Sequence, residues 1–279
     1  ESLQRIVARL LLNHGESFIN VNKMAEKNMV NLLNMNTMTL TNIEGYSGEY
    51  DFPNLFCDSI PNIDYLAMYS RPSEYSKHEN TALCFYQYDK TYDGLNGLYN
   101  AIFYNKKPLL KQYKKRFKDI KIAIDPDYSI GQNFPKAENI YRMYKSRIVG
   151  LWLKYECGIT VIPNLTYVYE SYFPFMLNGI ENTKSIAMSI VGVMNSIQTL
   201  RLFNKALKYA VDHLKNLKII YAFTTNSDDE ETKKLFSYAK KKEIQICIPD
   251  NMLKRRNTNK QKEADKKFEE EMQKYVPLF

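Results

Sequence analysis

A rhythm restricts this fold more than any single residue does. Between residues 82 and 248, short apolar runs of strand length alternate with longer segments whose apolar residues recur every three or four positions. The runs fall at 82–88, 120–124, 159–162, 185–191, 218–223 and 244–248, and the helical segments at 92–99, 109–117, 136–155, 196–214 and 228–241. Strands separated by helices need crossover connections, which pair neighbouring strands in parallel and with a right-handed turn. The expected class is α/β, a barrel-like or partial (β/α) barrel core of about six parallel strands with helical N- and C-terminal extensions. A doubly wound open sheet is the competing topology. No glycine-rich fingerprint follows the first strand, which argues against a dinucleotide-binding sheet.

The expected divisions are a helical extension over residues 1–45, an α/β core over 46–250 and a charged helical tail over 251–279. In the extension, Leu3, Ile6, Val7, Leu10 and Leu11 share one helical face, and Val21, Met24, Met29, Leu32 and Leu33 share a second. Such a pair docks on a core or a partner, or forms a helix-turn-helix. Gly, Pro and Asp punctuate the aromatic stretch from Gly45 to Pro61, as in a loop or boundary.

The stretch IKIAIDPDYSI, residues 120–130, carries the chemistry. Ile120, Ile122 and Ile124 alternate as in a strand, and Pro126 ends it because proline brings no ladder donor. Asp125, Asp127, Tyr128 and Ser129 follow at once, where α/β folds collect ligands and catalytic groups. Asp89 and Asn164 close other apparent strands, and Glu170 follows soon after Tyr167. Carboxylates converging on one rim can hold Mg²⁺ or Mn²⁺, with Asp125 and Asp127 as the ligands, or divide acid and base roles. Aspartate after a strand also caps helices and fills turns. Tyr128, a phenol beside two carboxylates, is a candidate covalent nucleophile, although 22 tyrosines make such neighbours common.

The clearest helix, 136–155, steps through Ile140, Tyr144, Ile148, Leu151, Trp152 and Tyr155, and Gly158 follows where a left-handed cap is wanted. Beside that stripe lie Arg142, Lys145 and Arg147. They can reach a phosphate, clamp a strand-end carboxylate, or form a solvated face.

A net charge of +8 and a pI near 9.0 favour polyanionic partners. The basic run Lys111, Lys114, Lys115, Arg116 and Lys118, interleaved with Tyr113 and Phe117, suits a nucleic-acid backbone, with Lys254, Arg255 and Arg256 adding a second patch. An amphipathic helix with solvated lysines explains the same letters. Cys57, Cys84, Cys157 and Cys247 lack CxxC spacing, and His14, His78 and His213 lack any metal-ligand spacing. Neither a P-loop nor a GxSxG elbow occurs. No apolar run has membrane-spanning length and no signal peptide is read, so a cytoplasmic location is expected. The ending Pro277-Leu278-Phe279 is similar to the carboxy-terminal peptides that bind the bacterial sliding clamp, without the usual glutamine in register.

The succession IDPDYS (124–129), YKSRIVGLW (144–152), GITVIPNLTY (158–167) and FMLNGI before SIAMSIVGV resembles the domain of unknown function 4417 family across residues 89–223. That resemblance implies a bacterial, phage or mobile-element setting without an established activity, and it draws interest to Asp127, Tyr128, Ser129, Arg147 and Pro163. The expected function is a nucleic-acid-associated protein of a phage or mobile element, acting in binding, replication or metal-dependent phosphodiester processing. In that last case Arg147 would stabilise charge. A barrel-type hydrolase or ligand-binding protein for a small molecule, and an interaction module using its termini, are the alternatives.

Overall fold

The computed structural model describes residues 45–275 of the 279-residue chain, with side-chain surroundings through residue 267. The helical pair expected before Gly45 and the terminal Pro277-Leu278-Phe279 lie outside the described residues. A short antiparallel hairpin, β1 (Tyr46–Ser47) with β2 (Phe52–Pro53), comes first. The strands β3 (Tyr65–Met68), β4 (Thr81–Cys84), β5 (Ile122–Ile124), β6 (Thr160–Ile162), β7 (Ser185–Ser189), β8 (Ile219–Phe223), β9 (Gln245–Cys247) and β10 (Asp250–Asn251) follow. Every pairing among these is parallel, as the alternation of strands and helices requires.

The strand count and grouping differ from expectation. The parallel segments form a five-stranded sheet ordered β10-β3-β4-β5-β6 and a three-stranded sheet ordered β7-β8-β9, in place of one barrel of about six strands. Strand β3 escaped the sequence reading because YLAM is only four residues long and follows the breakers Pro61 and Asp64. It is buried on both faces, as parallel strands are. The two sheets touch: Asn164 bridges Ala187 in parallel, with Leu165 N–H donating to the Ala187 carbonyl and Ala187 N–H to the Pro163 carbonyl, both at 2.8 Å. At the other side, only Ile248 and Pro249 separate β9, which pairs with β8, from β10, which pairs with β3. One apolar cluster takes Leu66, Ala82, Ile124, Ile162, Ala187 and Phe223 from both sheets.

The helices are α1 (Leu98–Phe103), α2 (Lys107–Arg116), α3 (Lys136–Cys157), α4 (Phe173–Leu177), α5 (Ile197–His213), α6 (Asp229–Leu235), α7 (Ser237–Lys241) and α8 (Met252–Tyr275). Helix α3 ends as its sequence indicates, with Gly158 left-handed at φ 68° and its N–H on the Leu153 carbonyl. It buries Ile148, Val149, Leu151, Trp152 and Leu153, and full burial of such side chains stabilises by roughly 1.5–3 kcal/mol each. At Gly150 its backbone lies close against Leu55 and the residue that follows β5: an added Cβ would stand 2.4 Å from Leu55 Cδ2 and 3.2 Å from Asp125 Cβ. Glycine therefore lets the helix lie directly on the strand that carries the carboxylates.

Cys84 and Cys247 occupy β4 and β9 as expected. The start of α8 is anchored to the core: Asn251, which ends β10 just before it, and Lys254 in its first turn are buried, and Asn251 Nδ2 donates to the Thr224 carbonyl at 2.9 Å. Among the described residues no helix is long and apolar enough to cross a membrane.

Candidate functional site

Strand β5 delivers two carboxylates in succession, and Pro126 between them turns the chain. Asp125 is fully buried. One of its oxygens accepts from Arg147 Nη1 at 2.6 Å, and the other from the backbone N–H of Asn164. Arg147, itself buried on α3, also donates to the carbonyls of Asn164 at 3.4 Å and of Met176 at 3.5 Å. Burial pushes the Asp125 carboxyl above the usual range, while the Arg147 charge and the Asn164 N–H pull it back. This is a clamp that fastens β5, β6 and α3 together.

Asp127 is different. It is only partly buried, and one oxygen accepts from Asn164 Nδ2 at 2.8 Å and Thr166 Oγ1 at 3.1 Å. Its other oxygen accepts no hydrogen bond from the described residues. Desolvation raises its carboxyl to about 6, outweighing the hydrogen bonds from Thr166 and Asn164 that lower it, and the charges of Asp125 and Asp89 push the same way as burial. Asn164 is in turn oriented by Tyr86, whose hydroxyl donates to Asn164 Oδ1 at 2.8 Å. A chain of polar contacts therefore runs from β4 through β6 to Asp127.

Asp127 lines a cleft of about 650 Å³ over the carboxyl ends of the strands. Ser70 and Arg71 come from beyond β3, Tyr86, Gln87 and Tyr88 from beyond β4, Ser189 and Val191 from the end of β7 and just past it, and Phe223 and Thr225 from the end of β8 and just past it. Tyr86 and Phe223, both on its lining, stack on each other with centroids 4.4 Å apart at 18°. A second cleft of about 360 Å³, toward the start of α5, shares Asp127, Ser189 and Val191.

The remaining residues singled out from sequence divide cleanly. Asp89 accepts from Ser129 N–H at 3.1 Å and Ser129 Oγ at 3.0 Å and pairs with Arg142 at 2.8 Å, so it ties the β4 and β5 loops together. Arg142, Lys145 and Arg147 all clamp carboxylates, those of Asp89, Asp93 and Asp125, and none forms a solvated face. Tyr128 turns inward: its ring is buried, Lys145 Nζ lies 4.2 Å from its centroid, and burial raises its phenol far above the ordinary value. A phenol so placed is part of the packing and stands off the cleft lining. Glu170 is exposed and pairs with Lys205 at 2.5 Å, apart from the carboxylates of β5.

For Asp125 the metal-ligand role conflicts with geometry, because Arg147 and Asn164 already occupy its oxygens. Among the described residues no group of three or more His, Cys, Asp or Glu side chains is placed to hold a metal ion.

The basic patches are also partly committed. Lys114 pairs with Glu156 at 2.6 Å, and Arg116 stacks on Tyr69 at 4.2 Å while donating to its carbonyl. Lys254 pairs with Asp229 and Arg255 with Asp250, each at 2.5 Å. Lys118 lies 4.0 Å from Asp119. Lys111, Lys115 and Arg256 are exposed and have no ion pair among the described residues.

Sequence reasoning missed Arg71, Gln87, Tyr88, Ser189 and Phe223. The end-of-strand rule that found Asp127 would have found Tyr88 and Phe223 had it been applied to aromatic residues as well as carboxylates. Arg71 was invisible because its strand, β3, was unread.

The family described as domain of unknown function, DUF4417, matches residues 44–240. The "Gene 1 protein" of Mycobacterium phage L5 is 28% identical over 196 residues, 69% of this chain and 80% of that protein. The "Gene 1 protein" of Mycobacterium phage D29 is 27% identical over 108 residues, 39% of each chain. No solved structure matches.

Proposed function

This chain belongs to the DUF4417 family, with phage proteins among its relatives, and on that premise we propose that it is a ligand-binding protein of phage type. In this reading the cleft over the strand ends receives a small molecule, and Asp127 exchanges a proton with it. The observation that carries the reading is Asp127 itself. It is a carboxyl raised to about 6, fixed through one oxygen by Asn164 and Thr166 and left with an open oxygen on the cleft. A group with that value is populated in both protonation states near neutrality, which general acid or base work requires. Concave sites with apolar walls and a few convergent polar groups are where ligands bind.

The finer architecture enters the same proposal. We read the two parallel sheets as one barrel-like layer. The Asn164–Ala187 bridge supports this on one side, the continuation of β9 into β10 on the other, and the apolar cluster shared by both sheets between them. A barrel would place every strand's carboxyl end around the same cleft.

Nucleic-acid binding through the basic patches receives less support, since Lys114, Arg116, Lys254 and Arg255 are engaged with partners of their own. The test is a small-molecule pool screened by NMR on the full chain and on Asp127→Asn. The proposal expects at least one pool to shift the cleft resonances of the wild type and to lose affinity in the variant. Pools that leave the cleft untouched, together with an oligonucleotide that shifts Lys111 and Lys115, would replace it with the nucleic-acid reading.

A further inference from the structure

The polar groups that the cleft leaves unanswered describe what it would take. Gln87 donates through Nε2 to Ser70 Oγ at 2.8 Å, but its Oε1 is buried without a partner. A buried acceptor without a donor is costly, which favours turning the Gln87 amide toward the cleft, where a ligand N–H can meet it. Asp127 offers a second unmet acceptor in the same cleft. Two acceptors call for a ligand edge that carries N–H groups.

The aromatic residues define its shape. The stacked Tyr86 and Phe223 rings are buried and form an apolar floor. Tyr88 stands on the lining, 81% exposed, with Lys90 Nζ 5.9 Å from its ring centroid. An aromatic side chain left in water beside an apolar floor is a stacking platform for a planar ring such as a nucleobase. Arg71 lies on the same lining, exposed, with no ion pair among the described residues. Its guanidinium fits a phosphate through paired N–H donors. The cleft volume of about 650 Å³ falls within the range of roughly 300–1,000 Å³ usual for small-molecule sites.

We propose that the cleft binds a nucleoside monophosphate unit: the base stacks on Tyr88 above the Tyr86–Phe223 floor, its N–H edge meets Asp127 and Gln87, and its phosphate meets Arg71. This assignment rests on the cleft being the functional site, and it adds the class of ligand. The unit has two possible sources, a free mononucleotide or one nucleotide of a single strand.

The test is calorimetric titration of the full chain with adenosine, guanosine, cytidine and uridine 5′-monophosphates, with adenosine, with ribose 5-phosphate and with a short single-stranded oligonucleotide. Arg71→Gln and Tyr88→Ala are the variants, both at exposed positions where the fold should be retained. The proposal expects a monophosphate to bind at least about tenfold more tightly than either its nucleoside or the sugar phosphate. Arg71→Gln should abolish the preference for the phosphate, and Tyr88→Ala the preference for the base. If the oligonucleotide binds more tightly than any monophosphate and shows the same two losses, the source is a strand and the unit stands. Absence of binding by all probes at millimolar concentration, or binding indifferent to both variants, overturns it. Running the small-molecule pools beside these probes separates two failures. Pools that shift the Asp127 resonances while nucleotides do not would remove the ligand class and keep the site. If nothing shifts Asp127, both fall.

Discussion

Asp125 and Asp127 leave the same strand with only Pro126 between them, and they meet opposite surroundings. Around Asp125 every acceptor is filled: Arg147 and the Asn164 amide close on it, and no water reaches it. Around Asp127, which lines the cleft, one oxygen is held by Asn164 and Thr166 and the other accepts no hydrogen bond from the described residues. The first arrangement makes a closed corner, and the second leaves the carboxyl that the proposed reading assigns to proton exchange. Asn164 joins them, since its backbone amide binds one carboxylate and its side chain orients the other. The corner thus acts as the support on which the site is aimed, and the contrast can be tested by breaking each half separately.

Breaking the corner should have the largest effect. Arg147→Met strands a buried carboxylate, and removing one partner of such a pair typically destabilises by about 3–5 kcal/mol. Urea unfolding should show that loss, and adding Asp125→Asn to Arg147→Met should recover part of it. A loss below about 1 kcal/mol would mean the corner contributes little. Next, Gly150→Ala pushes a methyl into Leu55 and toward Asp125, and overpacking of this kind costs about 1–3 kcal/mol. Thermal unfolding with the midpoint unchanged would show that α3 can move off β5 freely.

The site half should appear in the pH dependence. Because the folded protein raises the Asp127 carboxyl to about 6, above its unfolded value near 3.9, the folded state binds its proton more tightly than the unfolded state. That contribution is fully present below about pH 4 and is lost as pH rises to about 6. Asp127→Asn keeps an acceptor for Asn164 and Thr166 and removes the titration. Relative to wild type it should therefore gain about 3 kcal/mol across that window, less whatever solvent in the cleft screens. An identical pH profile in the two proteins would contradict the assignment. Smallest of all, Lys111→Gln and Lys115→Gln should change stability by less than about 0.5 kcal/mol. Arg116→Ala, which loses its stacking on Tyr69, should cost about 1 kcal/mol.

How far the sequence could be read follows from the same physics. Helix α3 and its glycine cap were legible because both are local: the apolar stripe and the left-handed stop are written in consecutive residues. That Asp127 directly follows a strand and its proline stop was legible for the same reason, and the residue lines the cleft. What failed was long range or short in length. Strand β3 has too few residues to show a period, and with it went Arg71. The helix expected over residues 92–99 forms instead at Leu98–Phe103, because Asp93-Gly94 and Asn96-Gly97 favour turns. The helix expected over residues 228–241 is broken at Phe236, whose ring is fully buried against Phe203. The commitment of Arg116 to Tyr69 and of Lys254 to Asp229 depends on residues far apart in the chain, so a charged run alone could not distinguish paired from free cations.

The most direct measurement is a carboxyl-carbon NMR titration of the full chain, with the Asp127 signal assigned by comparison with Asp127→Asn. The account predicts a midpoint near 6 that moves when a cleft ligand binds. A midpoint in the ordinary aspartate range, near 4 or below and indifferent to every ligand, would contradict it.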